Sequence, residues 1–260
     1  MKIRETAVAG TFYEANPERL RQVLASILDS SPAYSGSRPE ALIVPHAGYA
    51  YSGSLAGQAY ATLAPTADEI SRVVLFGPAH RVSLRGMALP DADAFATPLG
   101  TVPLDLETIS VASALPGVCL SNEAHRLEHS LEVQLPFLQT VLGQFSLIPV
   151  VVGDCEASTV AAVVDALWGG PETLLVVSTD LSHFHSYDEA RLHDARTCSR
   201  LVKKDSTLNG RDACGAYALN GLISSEHCQS LTVEQLAICN SGDTAGDRDR
   251  VVGYGAFILY

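Results

Sequence analysis

Three short apolar runs, each leading into a histidine, limit what this chain can fold into. They are ALIVPH at 41–46, VVLFGPAH at 73–80 and LLVVSTDLSH at 174–183. Runs this short, rich in branched residues and bounded by Pro, Gly or Ser, read as buried strands rather than helices. They show no polar alternation, so both faces of the sheet need a cover of helices. Pro45 ends the first ladder because it has no N–H to give. His46, His80 and His183 then stand just past strand ends. Ligands of such sheets bind beyond the strand ends, so the three imidazoles are expected to converge on one cleft.

The rest of the chain fits that frame. Strands are expected over 72–77, 145–152, 173–178 and 251–259, and helices over 105–115, 156–168, 187–204 and 212–225. Asn16-Pro17 starts an earlier helix, with Asn as cap and Pro at the first position, and Leu20, Val23, Leu24, Ile27 and Leu28 follow at helical spacing. Leu55, Ala56, Ala59, Tyr60 and Leu63 make another apolar stripe. Residues 1–16 read as an extended lead-in, with Phe12 and Tyr13 packing back. Residues 30–40 read as a loop, and 86–100 as short strands and turns. Leu127 to Leu142 has helical spacing, but Pro136 must kink or split it. Strand and helix alternate without repeat or long linker, which suits an α/β fold in one domain over 1–260.

Charge and cysteine content bound the partners. A net charge of −12 argues against a nucleic-acid backbone or an acidic membrane surface. The N-terminal stretch lacks the apolar core of a signal peptide, and no run approaches the roughly 18 apolar residues that span a bilayer. The six cysteines form no CxxC pair, and a chain of 260 residues has no need of a disulfide framework. Reduced thiols and a cytoplasmic location are expected.

The candidate chemistry is metal chemistry. Neutral imidazole is the commonest nitrogen ligand for iron, copper and zinc, and two histidines with one carboxylate leave positions open for substrate. Asp180, Asp243 and Glu128 are the carboxylates within reach by the same strand-end logic. Any one histidine could equally bond a loop carbonyl; three in the same context favour a shared site. HRLEH at 125–129 matches the H-x-x-E-H pattern of inverted zinc proteases, with His125 and His129 four apart on a helix and Glu128 as base. That pattern is short, and a solvated helix start explains His125 as well. The polar loop CNSGDTAGDRD at 239–249 could bring Asp243 or Thr244 to a site or be an ordinary turn. Cys214 fits a packed thiol better than a reactive one. No G-x-S-x-G elbow, Walker A loop or G-x-G-x-x-G is present.

Taken together, VPHAGYAYSG (44–53), GPAH (77–80), EHSLEVQLPFL (128–138), STDLSH (178–183), CG (214–215) and NSGDTAGDRDRVVGYGAF (240–257) resemble the Memo family, of the AmmeMemoRadiSam system protein B type. The pieces follow the family's order and span nearly the whole chain. The family is similar in fold to LigB-type class III extradiol dioxygenases, so the resemblance implies a three-layer α/β/α sandwich with a cleft at the strand ends. It implies His46 and His80 as metal ligands and His183 as the acid/base. The cysteine that supplies the third ligand in animal members aligns, counting back from VVGYGAF, with Thr244; Asp243 next to it is then the expected substitute. The implied metal is Fe(II), with copper or zinc as the other choices. Implied occupants of the cleft are a small molecule or a peptide, and implied partners are AMMECR-type and radical-SAM proteins. Three functions follow as expectations. The first is a metal-dependent, dioxygenase-like oxidoreductase using His46, His80, Asp243, His183, Asp180, Glu128 and His129. The second is a binding or scaffold component with no chemistry. The third is a zinc hydrolase built on His125, Glu128 and His129.

Overall fold

The apolar runs assemble into a nine-stranded mixed sheet in a computed structural model that describes residues 1–260. Its strands are β1 (Ala41–Val44), β2 (Arg72–Pro78), β3 (Met87–Leu89), β4 (Val118–Leu120), β5 (Ser146–Val152), β6 (Thr173–Ser178), β7 (His183–His185), β8 (Val233–Asn240) and β9 (Val251–Leu259). The order is β7-β9-β1-β6-β2-β5-β3-β4, with β8 also paired to β9. β1, β6, β2 and β5 are parallel. β3 runs antiparallel to β5, and β9 antiparallel to β1, β7 and β8.

Register decides where the site falls. Val44 lies beside Ser178, Phe76 beside Val177 and Pro78 beside Val152. The parallel strands therefore stop level with one another. Whatever follows them in sequence (Pro45-His46, Ala79-His80, Thr179-Asp180) emerges at one edge.

Helices cover the sheet on both sides, giving a three-layer α/β/α sandwich. They are α1 (Pro17–Asp29), α2 (Ser54–Ala61), α3 (Leu106–Ala112), α4 (Asn122–Arg126), α5 (Leu135–Leu142), α6 (Ala157–Leu167), α7 (Tyr187–Val202), α8 (Ala216–Ser224) and α9 (Glu226–Ser230). α2 packs on β1, β8 and β9 with α1 and α5 beside it; α8 packs on β2 with α6 against it, and α7 on β7, β8 and β9. Two glycines permit the close approaches within these layers. A Cβ on Gly57 would stand 2.2 Å from Ile27 Cγ2 of α1, and one on Gly221 2.2 Å from Val160 Cγ1 of α6. All four side chains of β1 and all six of β6 are buried, as runs without polar alternation require. No helix is long and apolar enough to cross a membrane.

The N-terminal lead-in is anchored by charge. Ile3–Arg4 forms a small sheet with Ala94–Thr97 and Gly100–Pro103. Arg4 is buried and pairs with buried Glu132. Glu132 also accepts hydrogen bonds from Ala7 N–H (2.7 Å), Val8 N–H (3.0 Å) and Tyr13 O–H (2.6 Å). Phe12 and Tyr13 do pack back, Tyr13 tied to the ion pair through its hydroxyl and Phe12 resting on His129.

The split expected at Pro136 is present, and one strand was not expected. Over Leu127–Leu142 the chain makes a 3-10 turn at Glu132–Gln134 and then α5, with Pro136 in its first turn, where its missing N–H costs nothing. β8 went unexpected because VEQLAICN is only half-buried and mixes polar with apolar residues.

Candidate metal centre

His46, His80 and His129 meet at the strand-end edge, each offering a ligand atom within 4.8 Å of the others. The ring centroids lie 5.1 Å (His46–His80), 5.5 Å (His46–His129) and 4.7 Å (His80–His129) apart. Phe12 closes one side, 4.9 Å from the His129 ring. The adjoining cleft, of about 280 Å³, is also lined by Tyr51, Asp180, His183 and Tyr254.

Hydrogen bonds fix which nitrogen each histidine presents. Ser178 Oγ donates its one proton to Ser130 O (2.6 Å) and accepts from Gln134 Nε2 (2.8 Å). It can therefore only accept from His46 Nδ1 at 2.9 Å, which leaves His46 Nε2 unprotonated and free to bind. Gln134 is held in turn by Pro45 O and by the Tyr60 hydroxyl. His80 Nδ1 faces the Glu128 carboxylate at 2.9 Å, so it too carries the proton on Nδ1 and presents Nε2. Glu128 also accepts the backbone N–H groups of His80 (2.6 Å), His129 (2.9 Å) and Ser130 (2.9 Å). His129 Nδ1 stands 3.4 Å from Glu128 Oε1 and has no hydrogen-bond partner although it is buried. An orphaned buried imidazole nitrogen costs stability unless something binds it.

The electrostatics favour a cation. Burial, then the neighbouring His80, pushes His46 well below the usual histidine range; burial and His46 bring His129 down to about 4. Both are neutral ligands at physiological pH. Burial opposes the charge on Glu128, but its hydrogen bonds and attraction to His80 win and hold it at about 2. Burial raises Asp180, whose Oδ1 accepts the His46 N–H at 2.8 Å. Burial and Asp180 push the Cys214 thiol up to about 12, and its Sγ lies 3.3 Å from His46 Nε2. A soft donor thus borders the cluster, and a bound cation would draw off its proton.

The sequence expectations divide at this point. His46 and His80 converge as strand-end logic requires, but the third imidazole is His129, not His183. His183 opens β7 and lines the cleft beside the group, its Nδ1–H donating to Leu181 O at 2.9 Å. Phe184 after it holds φ 64°, a strained value for a non-glycine residue. Asp243 is not in the group. It is exposed, caps Asn240 N–H (3.0 Å), accepts from Tyr187 O–H, and faces a separate depression with Arg191. Thr244 is exposed as well, its hydroxyl bonded to Ser241 O. The cysteine beside the three imidazoles is Cys214, which the sequence reading assigned to packing. His125 is turned away: it is buried with Nε2 on Ala88 O at 2.9 Å, because α4 stops at Arg126 and breaks the helical register linking it to His129. His129, expected with Glu128 among the cleft residues, does stand there, as the third imidazole of the group.

Fold and centre define a class: an α/β/α sandwich with imidazoles gathered beyond its parallel strand ends. A family model described as Memo-like protein matches residues 4–258. MEMO1 family proteins of Aquifex aeolicus and Methanosarcina acetivorans are 33% and 34% identical, each alignment covering 100% of both chains. The chain belongs to the Memo family. Among solved structures, an uncharacterized protein of Escherichia coli K12 shares the fold at a TM-score of 0.51 and 13% identity, over 85% of this chain and 100% of that one.

Glu128 orients two ligands at once, so Glu128→Gln should weaken metal binding. The expected loss is about 10- to 100-fold, the usual effect of removing an outer partner. Isothermal titration of wild type and variant with Zn(II) measures it, and unchanged affinity would remove Glu128 from this role.

Proposed function

We propose that the cleft is a divalent-metal centre, held by His46, His80 and His129 with Cys214 as an adjoining donor, in a dioxygenase-like oxidoreductase. The observation that carries this is the mutual 4.8 Å limit on the three ligand atoms, with His46 and His80 fixed by Ser178 and Glu128 to present Nε2. An imidazole-rich set suits iron, copper and zinc; the motif resemblance to class III extradiol dioxygenases favours Fe(II). A bound Fe(II) would supply open coordination positions and a one-electron couple. The chain's own groups do the rest. His183 donates its Nδ1–H to Leu181 O, so in the neutral imidazole the lone pair lies on Nε2, which could take a proton from a ligand hydroxyl. Phe12 and Tyr254 restrict water, and no Lys or Arg lines the cleft to hold a phosphate.

A non-catalytic role, in company with AMMECR-type and radical-SAM proteins, is the second reading. It draws on Cys214, whose thiol sits on the His46 nitrogen that a metal would need. Anaerobic titration of tag-free protein with Fe(II), followed by an anomalous-scattering map, separates the two. One iron per chain among the three imidazoles is expected. Binding well below one equivalent, or scattering elsewhere, would sink the metal centre.

A further inference from the structure

The metal cleft does not end at the histidines. Thr11 and Phe12 line it, and the same two residues line a second hollow of about 470 Å³ on the far side of the N-terminal arm. That groove runs between the arm and α1, floored by Tyr13, Val23, Ile27 and Tyr49, and Glu14 is its one charged residue. It is larger than the metal cleft, and the Phe12 ring, 4.9 Å from that of His129, is the step between them.

Its walls are fixed in advance. Tyr49 N–H donates to Phe12 O at 2.7 Å, Tyr49 O–H to Val133 O at 2.8 Å, and Tyr13 O–H to Glu132 at 2.6 Å. Tyr13 and Tyr49 pack ring to ring at 5.6 Å, and Tyr49 on Phe137 at 4.8 Å. Aromatic rings held by hydrogen bonds at their polar ends lose little freedom when a ligand arrives. Phe12, Val23, Ile27 and Tyr49 remain only half-buried, so apolar surface is left to cover. Ligand sites of about 300–1,000 Å³ combine an apolar wall with a few convergent polar groups. Here the wall and the polar groups lie in adjoining hollows.

We propose that the ligand of this centre is an amphiphile, with a chelating oxygen head at the histidines and an alkyl or aryl tail laid over Phe12 into the groove along α1. The inference rests on the metal reading above. Neither hollow is lined by Lys or Arg, so nothing there balances a strongly anionic head, and a neutral or singly charged chelator on the metal is favoured over a phosphate.

The test compares acetohydroxamate with octanohydroxamate on Zn(II)-loaded protein by calorimetry. Each methylene fully removed from water is worth roughly a factor of four in affinity, so even half-burial of the tail should favour the longer chain by about 30-fold or more. Val23→Glu should abolish that preference and leave acetohydroxamate binding unchanged. Val23→Thr, which keeps the shape of the side chain and adds one hydroxyl, should reduce the preference measurably, with a thermal melt to confirm folding. Equal affinity of the two hydroxamates for wild type would overturn the tail site and leave the metal centre standing. A preference that survives both substitutions would place the tail elsewhere and also overturn it. If the protein loads Zn(II) but neither probe binds, the chelating head is overturned and the metal centre stands; if it takes up no Zn(II), the metal reading fails and the inference fails with it.

Discussion

His46→Ala and His80→Ala should each lower metal affinity by more than about 100-fold, above what loss of an outer partner costs. Both imidazoles are locked before any ion arrives, His46 by Ser178 and His80 by Glu128. A preset ligand contributes its full bond because no rotamer freedom is lost on binding. Removing one leaves two imidazoles and a thiol pushed up to about 12, which holds its proton until a cation is close. Asp243→Ala is the matched control. Its carboxylate serves Asn240 and Tyr187, so metal affinity should stay within about twofold. Fe(II) or Zn(II) titration of the three variants, with thermal melts of the metal-free forms to confirm folding, measures both outcomes. Wild-type affinity in His46→Ala or His80→Ala would remove the centre, and a large loss in Asp243→Ala would restore the carboxylate reading.

The metal-centre histidines show how far sequence reaches here. His46 and His80 were legible because each follows an unbroken apolar strand, and parallel strands that stop in register deliver what comes next to one place. His129 belongs to no strand. It is carried on a turn after α4 and placed by the backbone contacts of Glu128; the sequence offered both residues to the cleft but not His129 as a ligand beside His46 and His80. Asp243 failed for the opposite reason: its neighbours in sequence suggested a ligand, but its charge is consumed locally by a turn cap. Cys214 could not have been placed, since it lies 168 residues from His46 and reaches it only because its N–H bonds Asp180 O. Among the secondary elements the same division holds. The doubly buried strands β1, β2, β5, β6 and β9 announced themselves, and half-exposed β8 did not.

Glu132→Ala should cost about 3–5 kcal/mol of stability, the usual penalty for stripping one partner from a buried ion pair. Arg4 would remain buried, with its Nη2 on Glu128 O and Nε on His125 O but no negative charge beside it. The Ala7 and Val8 N–H groups and the Tyr13 hydroxyl would lose their acceptor as well. Val8 and Tyr13 are buried, so their unsatisfied donors add to the cost, and only the half-buried Ala7 N–H can turn to water. Against a total of about 5–15 kcal/mol, this is a large fraction. For a chain of this size it corresponds to a fall in Tm of about 6–20 °C. The arm also carries Phe12 into the cleft, and the segment around Glu132 carries Glu128 and His129, so metal affinity should drop with stability. Replacing both partners, Arg4→Met with Glu132→Leu, should recover part of the stability, because Arg4 is no longer left as an unpaired buried charge, although the donors of Ala7, Val8 and Tyr13 still lack their acceptor. Urea unfolding of the metal-free proteins measures each value. A single-variant loss below about 1 kcal/mol would mean that the arm is held by its apolar contacts alone, and a double variant no better than Glu132→Ala would mean that the charges themselves are needed to seat it.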